Sequence, residues 1–172
     1  MFQGYDFFIG IASIAGVFVG FGALISIIRR DKIDTFQLVR IRTVVTIGLM
    51  VIVASLIPIG LNHYGITDHT LWLICSIVFL IMNWTMAILS LLNPENRAFT
   101  LDWLRNKPLI AVPFFLLLEL PFLIPLILIL IDLYPNLELA FYTTALLLNL
   151  FESAFVLTQI VYSQVNKSKK SK

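Results

Sequence analysis

The chain has 172 residues, 59% of them hydrophobic and 13% charged, with a formal net charge of +2. A water-soluble domain is about 45–50% apolar and about 25% charged, so this chain lacks the charged surface that water requires. The solvent that suits it is lipid, in which backbone polar groups must be satisfied inside helices or a closed barrel.

Helices fit the pattern better than a barrel. Barrel strands alternate apolar and polar residues over about 10 positions. Here the apolar runs are unbroken and long enough for a helix of about 20 residues to cross a hydrocarbon core of about 30 Å. The first predicted helix covers about 7–28, and no charge interrupts Phe7 to Ile28. Met1 to Asp6 carries no Lys or Arg, and the run ends in Arg29-Arg30-Asp31-Lys32, a stop-transfer flank. The segment therefore reads as a retained helix rather than a cleaved signal peptide. Ala12, Gly16 and Gly20 recur every fourth residue on one face of it. Such a small-residue ridge lets two helix backbones approach closely, either within the chain or against another subunit.

The second predicted helix covers about 36–61, with Thr35 as its N-cap. A short link from Asn62 to His69 follows, holding both histidines and Asp68. Two histidines and one carboxylate on a short loop are a weak metal or pH-sensing signal, and no metal site is expected. The third helix covers about 70–92 and contains the lone Cys75 and the polar Asn83 and Thr85. Beyond Asn93-Pro94, Thr100 is placed to cap a short interfacial helix bearing Trp103 and Leu104.

The fourth predicted helix covers about 108–132; Pro108 to Ile131 contains one charge, Glu119, with Pro113, Pro121 and Pro125 on roughly the opposite side. Those prolines permit a hinge. The fifth covers about 138–163, and Leu139 to Asn166 contains one charge, Glu152. Ala145, Asn149, Glu152, Gln159 and Ser163 fall along one face of it. A polar stripe facing lipid is costly, so this one should face protein or water. A basic tail, 164–172, closes the chain.

The basic residues set the topology. All 12 Lys and Arg lie in the link between helices one and two or the first turns of helix two, in the link between helices three and four, or in the tail. With five spans, all of these segments share one side, and Lys and Arg in short loops stay cytoplasmic. The expectation is therefore a single all-α transmembrane domain over 1–172. Its five helices form a bundle with the N-terminus outside and the C-terminus in the cytoplasm. Tyr5, Tyr64, Trp72, Tyr134 and Tyr142 should form an aromatic belt at the outer interface, with Phe99, Trp103 and Tyr162 at the inner one.

A mid-membrane ionisable group costs roughly 2.5–3.5 kcal/mol on insertion scales and is a functional candidate by default. Glu119 and Glu152 lie equally far from the Pro135-Asn136 turn, so a straight hairpin puts both at one depth. Asn149, Glu152 and Asn83 are expected in one polar layer. Two carboxyls in a dry site share a proton, and can carry it or exchange it for a cation. The alternative is interhelical glue.

No HExxH, GxSxG, phosphate-binding loop or dinucleotide turn is present, so neither an enzyme nor a cofactor is expected. The expected partners are the lipid bilayer and either further copies of the chain or another membrane protein, with no nucleic acid. The functional expectation is a proton- or cation-conducting protomer that uses Glu119, Glu152, Asn149 and Asn83. The alternative is an accessory or assembly subunit of a larger membrane complex. The short loops favour a bacterial inner (plasma) membrane. Lys169-Lys170-Ser171-Lys172 also resembles a dilysine retrieval signal of the endoplasmic reticulum, the alternative location.

Overall fold

The computed structural model of the chain describes residues 4–28, 35–94, 96–98, 101, 105 and 121–170. These residues form α1 (Tyr5–Ile28), α2 (Thr35–His63), α3 (Asp68–Leu92), α4 (Leu123–Leu130) and α5 (Glu138–Lys170), with a single 3₁₀ turn at Pro135–Leu137. No strand occurs among them. Four helices are long and apolar enough to cross a membrane: Tyr5–Ile28, Gln37–His63, Asp68–Leu92 and Pro135–Tyr162. The protein is thus all-helical and has the character of a membrane protein. Of the fourth predicted helix, residues 106–120 lie outside the described residues, and 123–130 are helical. Helix five runs further than expected, to Lys170, because the tail residues Asn166 to Lys170 include no helix breaker.

Two helix ends show how local sequence shapes the turns. After α2, Gly65 takes φ +80°. Its N–H donates to the carbonyl of Asn62 (3.0 Å), and the N–H of Ile66 donates to that of Leu61 (3.2 Å). This pair of bonds is a Schellman motif, which needs a left-handed residue and most often uses glycine. After α4 the same pair recurs, from Asp132 to Ile129 (3.1 Å) and from Leu133 to Leu128 (3.3 Å). Here the left-handed position is held by Asp132, at φ +50°. Asp is among the few side chains that tolerate that region.

The bundle buries a core at the end where α1 begins and α2 ends. Phe8, Trp72, Phe79 and Tyr142 are all buried there. Tyr142 is the hub: its ring centroid lies 6.2 Å from Phe8, 5.6 Å from Trp72 and 6.1 Å from Phe79. Phe79 reaches α4's neighbour Phe122 at 6.5 Å. Trp72 and Tyr142 are therefore core residues, not members of the expected outer aromatic belt, because helix rotation turns both rings inward. Tyr64 and Tyr134 do remain exposed.

The outward face is apolar too. Phe7, Ile9, Ile14, Val17, Phe21 and Leu24 of α1 are all about half exposed or more. Inside and outside are both hydrophobic, as a bundle in lipid requires.

Candidate functional site

The inward face of α5 carries Tyr142, Leu146, Asn149, Ser153, Val156 and Ile160, all buried. Their alternating spacing of four and three keeps them on one stripe of the helix. Glu152 lies beside that stripe and is 6% exposed. The sequence-predicted polar face is thus turned into the protein at Ala145, Asn149 and Glu152, while Gln159 is only partly covered and the side chain of Ser163 lies outside the described residues.

Glu152 lines a cavity of about 400 Å³ between α2, α3 and α5. Arg42, Thr43 and Thr46 line it from α2, and Asn83 and Ser90 from α3. Asn93 and Asn96, just beyond α3, line it as well. These residues come from the early part of α2 and the late part of α3. The cavity therefore belongs to the half of the bundle remote from the aromatic core. Its wall mixes these polar groups with Ile47, Met50 and Met86.

Two of the predicted layer residues, Glu152 and Asn83, meet at this cavity. The Nδ2 of Asn83 is buried and makes no hydrogen bond to the described residues. A buried amide donor left unsatisfied costs about 1–3 kcal/mol, so it marks a place where a polar ligand or water is favoured. Asn149 does not line the cavity; its Nδ2 donates to the carbonyl of Ala145 at 3.3 Å along its own helix. Glu119 lies outside the described residues.

The small-residue ridge of α1 is placed differently from a helix-packing seam within the chain. Beyond its own turn of helix, a Cβ built at Gly16 or Gly20 would meet no described atom within 4 Å. The close approach between α1 and α2 occurs instead at Gly48, where a Cβ would sit 2.6 Å from Val19 Cγ2 and 3.4 Å from the carbonyl of Ala15. Ala12 is half-buried.

At the opposite end of the bundle, the two histidines of the predicted loop face different partners. His63 stacks on the Tyr5 ring at 6.2 Å, and Asp68 accepts a hydrogen bond from Thr67 Oγ1 at 3.0 Å. His69 turns the other way. Its Nδ1 meets the carboxylate of Glu138 and lies 3.7 Å from Oδ1 of Asp132. Those two acids are more than sixty positions away in sequence, so loop proximity could not identify them. The one available signal was that Asp132 and Glu138 flank the outer end of the last predicted hairpin.

Comparison of the chain with protein-family models, curated proteins and solved structures finds no match. The functional reading therefore rests on the residues themselves.

Proposed function

We propose that the protein is a proton- or cation-conducting membrane protomer in which Glu152 is the ion-handling carboxyl. The observation that carries this reading is the placement of Glu152, nearly buried, on the wall of a polar cavity shared with Arg42, Asn83 and Asn93. A carboxyl at such depth is stable when protonated, or when charged beside a cation or a donor, and switching between these states moves a proton. The unsatisfied amide of Asn83 offers a hydrogen bond to a water or to the carboxylate itself.

In this reading the chain crosses a bacterial inner membrane five times, with the cavity on the cytoplasmic half. The positive-inside pattern supports that orientation, since Arg40 and Arg42 begin α2 at the cavity end. One small bundle encloses little space, so a continuous path requires several protomers. Glu119 is a second candidate carrier in the same pathway, and Asn149 supports the inward face below Glu152.

The test is proton flux in liposomes reconstituted with the wild type and with Glu152→Gln. The expected outcome is a flux that falls to the level of protein-free liposomes, with helicity and detergent behaviour unchanged. Equal flux from a well-folded Gln variant would overturn the proposal.

A second reading, an accessory or assembly subunit of a larger complex, is favoured by one observation. Gly16 and Gly20 present a small-residue face on which an added Cβ would meet no described atom of another element within 4 Å. A partner helix could approach closely there. Extraction in native lipids followed by intact mass distinguishes the two. A stoichiometric second protein supports the accessory reading, and a homo-oligomer alone supports the conducting protomer.

A further inference from the structure

We propose that His69, Asp132 and Glu138 form a divalent transition-metal site that pins the start of α3 to the α4–α5 hairpin. The three residues come from three separate places in the chain. His69 lies in the first turn of α3, Asp132 occupies the left-handed position that ends α4, and Glu138 opens α5. One ligand atom of each, among them Nδ1 of His69, falls within 4.8 Å of the others. The group forms only when the two hairpins pack side by side, and it is the sole group of this kind among the described residues.

The chemistry of the donors selects the ion. One imidazole nitrogen and two carboxylates form a mixed N/O set, which suits zinc with bonds of about 2.0–2.2 Å. Two ligands of a tetrahedral ion at that distance lie about 3.4 Å apart. The 3.7 Å between Nδ1 of His69 and Oδ1 of Asp132 is close to that spacing, whereas the Glu138 carboxylate touches Nδ1 of His69 directly and must draw back for an ion to sit between them. Calcium and magnesium prefer all-oxygen shells, so the histidine disfavours them. Three protein ligands leave a fourth position for water, and Asp132 lies at an exposed edge through which an ion enters.

Glu138 strengthens the argument. Its side chain is 6% exposed and in contact with His69, which in turn lies 3.7 Å from the more exposed Asp132. Two carboxylates beside one imidazole carry more negative charge than a single protonated histidine neutralises, and a dication balances that charge. The position of Asp132 points the same way. Glycine is the default residue at a left-handed helix end, yet this one carries a carboxylate aimed at His69.

The site is independent of the cavity at the other end of the bundle and of any ion conduction. Its consequence is structural: an ion bound here joins two hairpins that otherwise meet through side-chain packing. Binding stabilises the folded state in proportion to the logarithm of free ion over its dissociation constant.

The test uses the full chain in detergent, stripped with chelator and titrated with zinc chloride by calorimetry, with magnesium chloride as the control. The expected result is one zinc per chain, a raised unfolding temperature, and no response to magnesium. Asp132→Asn retains the side-chain shape and suits the left-handed backbone, so it should fold as the wild type does. It should weaken zinc binding at least about tenfold, since losing a single ligand forfeits a full coordination bond. Asp132→Gly, which relaxes the same backbone position, should abolish zinc-dependent stabilisation without loss of fold. Zinc that fails to bind the wild type, or that binds both variants as tightly as the wild type, would overturn the proposal.

Discussion

At the scale of single residues, one proline explains one buried tyrosine. Pro58 lies inside α2 and has no N–H, so the carbonyl of Ala54, four residues back, loses its helical donor. The hydroxyl of Tyr142 on α5 donates to that carbonyl at 2.7 Å, in the buried core. A carbonyl without a donor is costly in a lipid-surrounded bundle, and a neighbouring side chain relieves it. Tyr142→Phe should therefore destabilise the protein by about 1 kcal/mol, within the range for a buried hydrogen bond. Pro58→Ala restores the N–H and competes for the same carbonyl. In the Pro58→Ala background the cost of Tyr142→Phe should shrink markedly. Unfolding in mixed micelles would measure the cycle, and an undiminished cost would show that the two residues are not coupled.

At the scale of elements, the packing of α1 on α2 depends on a glycine that no spacing rule identifies. Ala12, Gly16 and Gly20 attract attention because they repeat every fourth residue. The tight contact falls instead on the isolated Gly48 against Ala15 and Val19. Val is branched at Cβ and rigid in a helix, so it cannot swing aside. Gly48→Ala should separate the helices and cost roughly 1–3 kcal/mol, the usual range for overpacking. Val19→Ala should recover much of that loss, because it removes the methyl that the new Cβ meets. Thermal unfolding of the single and double variants checks this pair. If the double variant is no more stable than Gly48→Ala alone, the clash lies elsewhere. Glu152 was legible at this scale, because a polar stripe on an apolar helix has only one affordable direction, inward. Its meeting with Asn83 on one cavity followed from depth counting, whereas the exclusion of Asn149 depended on a rotation of the helix that counting does not supply.

At the scale of the whole molecule, the helices and the basic residues together make a topology that labelling can test. The His69 end should be external, and the end bearing Arg97 cytoplasmic. Tyr64 is 87% exposed at the α2–α3 turn, and Arg97 is exposed beyond α3. In sealed right-side-out membranes, Tyr64→Cys should react with an impermeant maleimide at once. Arg97→Cys should react only after the membrane is opened. The wild type, whose Cys75 is buried, provides the background. The reverse labelling order would invert the protein and place the Glu152 cavity on the outer half.

The sequence by itself determined the membrane-compatible apolar character and the helical class. Those properties follow from composition and from runs of apolar residues, which act locally and need no partner. It also marked Glu152 and Asn83, since a polar group inside an apolar run is conspicuous wherever it points. The tertiary structure decided which way each helix is rotated, and so moved Trp72 and Tyr142 from the lipid interface into the core. It alone brought His69 to Asp132 and Glu138, residues joined by nothing in the sequence. Rotation and hairpin pairing are set by side-chain packing across helices, and in lipid that packing depends on shape and hydrogen bonding rather than on hydrophobicity. A hydropathy pattern is nearly uniform around such helices, so it cannot encode the direction in which any one of them faces.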